Sequence, residues 1–291
     1  MKSIGIVTDS HGGISQAEAD KLGIKILPMP LMIGEDSFLE GVSITRDAFF
    51  KRLNNGEKPA TSQPSPEQVM DTWREALKEY ESILHMPISS GLSGSCNTAR
   101  MLAQEDEFEG KVFVVDNGRI STPMHRSILD AAELIEKGYS AEQIKDILES
   151  SKNEMSIYIA VETLEHLKNG GRISGAAAAV GTALNIKPIL SLNVGLLESY
   201  KKARGMRKAK REMLEAMRHD FKTRFKDAYD RGEVYLLAAS SADEETTVAW
   251  VEEIKTYFPG MEVLCDYLSL GISCHTGEGA LGIGCSLKPQ V

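Results

Sequence analysis

From Ser3 to about residue 155, short β-rich runs alternate with segments whose apolar residues recur three and four positions apart. That alternation constrains the chain more than any other feature, because strands separated by amphipathic helices can bury both faces only as a parallel sheet covered by helices. The spacing predicts strands at Ser3–Val7, Lys25–Leu31, Ser82–Met86 and Lys111–Val115. Helices are predicted at Arg46–Leu53, Glu67–Glu79, Cys96–Gln104, Met124–Lys137 and Ser140–Asn153, with Ser65 and Pro66 as cap and first residue of the second. After residue 155 the pattern changes. Strands are expected at Ser156–Val161, Ile189–Asn193, Leu196–Lys201, Glu233–Ala239, Met261–Tyr267 and Gly282–Leu287, with a hairpin turn at Asn193–Gly195. Two helices, Arg207–Lys226 and Asp243–Tyr257, would cover one face. The expected fold is therefore α/β with two domains: a Rossmann-like parallel-sheet domain over 1–155 and a mixed-sheet α/β domain over 156–291.

A chain of 291 residues, 42% hydrophobic and 26% charged, can build cores of this kind without disulfides or metal. Its four cysteines, Cys96, Cys265, Cys274 and Cys285, form no C-x-x-C pair and no histidine stands at zinc-ligand spacing from them. No apolar run reaches the roughly 18 to 20 residues of a bilayer span. The start, MKSIGIVTDS, lacks a signal-peptide apolar region, so a cytoplasmic location without stable membrane insertion is expected. The net charge of −9 repels phosphate backbones and argues against general nucleic-acid binding. One segment runs against it: Lys201–Lys226 holds eleven Lys or Arg and three acids, a local charge of +8. That segment is either a solvated basic helix or a face that steers an acidic partner.

In open α/β sheets ligands collect beyond the carboxyl ends of the strands. The first strand exits into Thr8, Asp9 and Ser10 followed by His11-Gly12-Gly13, which reads equally as a helix-capping turn. The third exits into Ser89, Ser90, Gly91, Leu92, Ser93, Gly94 and Ser95 ahead of a helix, where backbone amides and hydroxyls suit a carboxylate or oxyanion. This is no G-x-S-x-G elbow, since Ser95 stands where the last glycine would be, and no Walker loop, since no lysine follows the second glycine. In Thr61-Ser62-Gln63-Pro64-Ser65-Pro66 two prolines stiffen a polar loop that either caps the next helix or aims Thr61 at a ligand. Near the C-terminus His275 and Thr276 are followed by Gly277 and Gly279, which permit close approach of backbone or ligand. The remaining histidines, 11, 85, 125, 166 and 219, carry no such signal. Gly170, Gly171 and Arg172 close a short helix, and small residues from Gly175 to Ala179 lead into Val180, Ala183, Leu184 and Ile186, suited to tight packing or to a flexible ligand chain. No general base is evident beside a nucleophile, which favours a carrier over a catalyst.

Taken in order, TDS, EGVSIT, TSQPSP, SSGLSGS, LEHLKNGGRIS, KPIL, KARGMRKA and CHTGEGALG make a series that resembles the DegV family along essentially the whole chain. The resemblance implies a DegV fold with a fatty acid such as palmitate or oleate enclosed between the two domains, and no other cofactor. It also implies, from the FakB-type members, a fatty acid kinase as partner, to which the carboxylate is presented for phosphorylation. Carried onto this sequence, the carboxylate-binding residues are Thr61, Ser93 and His275, and Ser62, Gly91, Leu92, Gly94, Thr276 and Gly277 complete the pocket. Arg172 and Arg204 match the expected kinase contact. The chain departs from the family pattern at Asn117, where serine is usual, at Pro123, where glycine is common, and at Glu278, where proline is typical. Two other classes compete. One is a hydrolase or transferase acting on a carboxylated or phosphorylated small molecule with Ser93 activated by His275; the other is a regulator binding DNA through the basic segment, which the acidic remainder disfavours.

Overall fold

A computed structural model describes residues 2–175, 185–192 and 195–291. It divides into two compact units, 1–153 together with 289–291, and 154–288. The small-residue run from 176 to Leu184, and the turn residues Asn193 and Val194, lie outside the described residues.

In the first unit, β1 (Lys2–Asp9), β2 (Ile24–Leu27), β6 (Tyr80–Met86) and β7 (Val112–Val114) form a parallel sheet in the order β2-β1-β6-β7. Neighbouring residues along these strands feed opposite cores, as a pleated strand requires. Ile6 and Leu84 pack with Met124, Ile128 and Leu148 on one face, whereas Val7 and Ile83 pack with Trp73, Cys96 and Phe108 on the other. The first face is covered by the helices Ser121–Glu136 and Ala141–Ser150, the second by Pro66–Leu77 and Ser95–Leu102. Parallel strands buried on both sides follow from this covering.

The strand expected at Lys25–Leu31 is in fact two strands in two sheets. Pro28 and Pro30 interrupt the run, and a proline cannot donate to a central ladder. The chain leaves the parallel sheet after Leu27 and re-forms as β3 (Pro30–Ile33), which pairs antiparallel with β4 (Asp36–Leu39) and β5 (Pro59–Thr61) in a small three-stranded sheet. This sheet was not predicted, and neither was the helix Gln16–Leu22, although Ser15 caps it and Gly23 ends it in the left-handed conformation.

The second unit is a six-stranded mixed sheet in the order β10-β9-β8-β13-β11-β12. Its strands are β8 (Met155–Ala160), β9 (Ile186–Leu192), β10 (Glu198–Arg204), β11 (Val234–Ser240), β12 (Val263–Tyr267) and β13 (Leu281–Leu287). Only the β11–β12 pair is parallel. Helices Met206–Lys222 and Glu244–Tyr257 contribute Met213, Met217, Phe221, Trp250 and Ile254 to the core beneath Ala160, Ile189, Leu236 and Ile283. The single basic helix expected at Arg207–Lys226 breaks at Thr223 (φ −124°, ψ −85°), and a short helix, Lys226–Asp230, follows. No helix among the described residues is long and apolar enough to cross a membrane.

Candidate functional site

Asp9 closes β1, and its buried carboxylate accepts the His11 N–H (2.9 Å) and the Ile88 N–H (2.8 Å). One side chain thus caps the short turn after β1 and ties it to the exit of β6. Ser10 links the next layer: its hydroxyl donates to Glu40 of the EGVSIT segment (2.9 Å) and accepts the Met29 N–H (3.1 Å).

Beyond β6 the serine loop is folded by its own hydroxyls. Ser89 N–H donates to the Arg119 carbonyl, and the Ser89 carbonyl accepts the N–H groups of Leu92 (3.0 Å) and Ser93 (3.1 Å). Ser89 Oγ takes the Gly91 N–H and Ser93 Oγ takes the Ser95 N–H, each at 3.2 Å. Ser93 Oγ is an acceptor in that contact, so its O–H proton is left to donate. These bonds consume several of the amides that sequence reasoning offered to an anion. Gly94, Cys96 and Asn97 keep backbone N–H groups that meet no acceptor among the described residues, at the start of a helix with no side-chain cap.

Ser90 anchors the loop from below. Its hydroxyl donates to Asp116 Oδ2 (2.6 Å) and its N–H to Oδ1 (3.3 Å), while Lys152 Nζ reaches the same carboxylate at 2.8 Å and Arg100 lies 3.7 Å away. Burial alone would raise the Asp116 carboxyl, but the Lys152 and Ser90 hydrogen bonds outweigh it and hold the group below the ordinary carboxylate range. Glu149 completes the network by accepting the Asp116 N–H (2.8 Å) and an Arg100 N–H (3.0 Å).

Thr61 ends β5 opposite Leu31, half-buried, and the following loop is fixed by a reciprocal cap between Ser65 and Gln68. Gln63 brings this loop onto the serine loop. Its Oε1 accepts the Thr98 hydroxyl (3.3 Å), and a Cβ added at Gly94 would lie 3.0 Å from the same oxygen. The two motifs that carry Thr61 and Ser93 are therefore neighbours, and Gly94 is where the loops touch. Ser62 and Gly91 are exposed and Leu92 is half-buried.

In the second unit His275 sits on a helix, Leu270–Thr276, capped by Ser269, where sequence reasoning had placed only a glycine-rich segment. It is half-buried. Thr276 is buried, and its hydroxyl is turned back onto the Ile272 and Gly277 carbonyls. Gly277 ends the helix at φ 75°. The helix packs against Glu165–Gly170, whose end Arg172 caps by donating to the Gly170 carbonyl (2.6 Å). His166 lies on this second helix with its ring against Gly277, a placement that no sequence signal marked.

Arg204 closes the edge strand β10 and is exposed. Along the basic segment Lys201 pairs with Glu212, Lys210 with Glu253, Arg211 with Glu215 and Lys226 with Asp230. Lys202, Arg204, Arg207 and Lys208 meet no acid among the described residues, so four uncompensated charges gather where β10 hands over to the helix Met206–Lys222.

A model of the family described as "Uncharacterised protein, DegV family" matches residues 3–288. A DegV domain-containing protein of Deinococcus radiodurans is 31% identical over 289 residues, covering 99% of each chain. Among solved structures, the one described as "Fatty Acid Binding of a DegV family Protein from Thermus thermophilus" is 35% identical with a TM-score of 0.86, covering 98% of this chain and 99% of that one. "DegV, a fatty acid binding protein from Bacillus subtilis" is 29% identical with a TM-score of 0.83, covering 99% and 100%.

Proposed function

The chain belongs to the DegV family, and from that premise we propose that it is a non-catalytic carrier that binds one long-chain fatty acid, of the palmitate or oleate class, and presents the carboxylate to a fatty acid kinase. The observation that carries the reading is the whole-length likeness to solved DegV proteins described as binding fatty acids. In this chain the head group is assigned to Thr61, Ser93 and His275, with Ser62, Gly91, Leu92, Gly94, Thr276 and Gly277 around it.

Physical chemistry divides the work between tail and head. Each buried methylene contributes about 0.8 kcal/mol, so a chain of about 14 supplies roughly 11 kcal/mol before ordering costs. Charge-assisted hydrogen bonds to the carboxylate add about 1.5 to 3 kcal/mol each and are offset by its desolvation. The tail accordingly sets affinity, and the hydroxyls and imidazole set the preference for an acid. Support at the head comes from Ser93, whose oxygen is fixed by the Ser95 amide while its proton remains to be given. The kinase contact is assigned to Arg172 and Arg204. Arg204 stands among the cations without acidic partners, which suits an acidic surface.

The test is titration of delipidated protein with oleate and with the matching alcohol. The reading expects tight binding of the acid, and Ser93→Ala or Thr61→Val narrowing the gap between acid and alcohol while leaving most of the affinity. A folded, delipidated protein that takes up neither would overturn it.

A further inference from the structure

We propose that Gly170 is a positioning residue for His275, its bare Cα holding the imidazole in the one orientation from which it meets a carboxylate; this rests on the head-group role given to His275 above. A Cβ built at Gly170 would lie 1.9 Å from His275 Nδ1 and 2.5 Å from Cε1, distances that no real side chain reaches. The ring occupies the space where any other residue would carry its side chain.

The two glycines of the Asn169-Gly170-Gly171 turn serve different ends. Gly171 has φ 68° and nothing within 4 Å of its missing Cβ, so it is needed for backbone conformation alone. Gly170 is the last residue of its helix and has no positive φ. The helix would accept alanine there, and alanine is the better helix former. Only the imidazole requires the space.

The contact is reciprocated. A Cβ at Gly277, directly after the His275 helix, would fall 2.7 Å from His166 Cδ2, and one at Gly279 would fall 3.1 Å from Glu162 Cγ. Each of the two short helices thus lays a histidine on a glycine of the other's end. Buried Ser241 locks the loop that follows the His275 helix, donating to the Gly277 carbonyl (2.7 Å) and accepting the Ala280 N–H (2.8 Å). From the other side Arg172 holds the Gly170 carbonyl. His275 Nδ1 is buried in this arrangement.

The experiment compares wild type, Gly170→Ala, His275→Ala, their double variant and Gly171→Ala. Two quantities are read: the affinity ratio of oleate to oleyl alcohol, and the ¹⁵N resonances of the His275 ring in ligand-free protein. Gly170→Ala is expected to shift those resonances and to lower the ratio by about tenfold, as loss of one charge-assisted bond does. The double variant should be no worse than His275→Ala. Gly171→Ala, strained at its positive φ, should lose stability with the ratio intact. A wild-type ratio or unmoved resonances in Gly170→Ala overturn the proposal. Should Gly170→Ala not fold, the double variant removes the clash and is expected to fold; an unfolded double variant also overturns it. If wild type does not distinguish acid from alcohol, the head-group reading fails, and the ring resonances still decide whether Gly170 places His275.

Discussion

His85 lies in β6 with its Nδ1 accepting the Trp73 Nε1–H at 3.0 Å, so the ring's own proton resides on Nε2, a buried atom that meets no partner among the described residues. Burial pushes its pKa down to about 4, against a smaller upward pull from Asp9. The unfolded imidazole takes a proton near pH 6.5 and the folded one near 4, so the unfolded state binds more protons between those values. Stability is therefore undiminished above pH 6.5 and falls as pH drops toward 4, by up to about 3 kcal/mol. Urea unfolding at pH 7 and pH 4.5 should show that loss in wild type. It should be much smaller in His85→Leu, which starts less stable because Trp73 loses its acceptor; equal losses in the two would contradict the assignment. Sequence reasoning gave His85 no role because burial and a tryptophan twelve residues away leave no trace in local pattern. His275, by contrast, was marked by Gly277 and Gly279, which their own positive φ requires, whereas the glycine its ring packs on, Gly170, lies on a different helix.

The elements were legible where periodicity or capping is strong. Strands β1, β6 and β7 and the long helices of the first unit follow from apolar spacing, and Ser65-Pro66 with Gln68 marks a helix start in the sequence as clearly as in the structure. Short elements were lost. Gln16–Leu22 has its cap and its terminal glycine but too few turns to register a period, and Leu270–Thr276 contains Gly271 and Ser273, which read as loop. The serine loop shows a different limit: the pattern located it, but not the two bonds by which the Ser89 and Ser93 hydroxyls accept the Gly91 and Ser95 amides, nor the Asp116 carboxylate that anchors it. That anchor is testable. Asp116→Ala leaves Lys152 and Ser90 without their acceptor and should cost about 2 kcal/mol, seen as a lower urea midpoint at unchanged slope. A midpoint equal to wild type would show that the network contributes nothing to holding the loop.

Over the whole molecule, two α/β units are joined in a chain of −9 net charge whose segment 201–226 carries +8. Four of its eleven cations pair with neighbouring acids, and four that meet no acid among the described residues, Lys202, Arg204, Arg207 and Lys208, stand close together in the chain. If this is the surface that a kinase reads, Lys202→Glu with Arg204→Glu should slow ATP-dependent phosphorylation of the bound acid by a cognate kinase, most strongly at low salt, and leave oleate affinity unchanged. Rates unaffected by the double charge reversal would move the contact elsewhere. Beneath all of this stands the claim that the protein is a container for an acyl chain. Its most direct test is organic extraction of the natively purified protein followed by mass spectrometry of the extract. The account predicts about one long-chain fatty acid per chain, recovered as the free acid; well-folded protein that yields none, and acquires none when oleate is supplied, would contradict it.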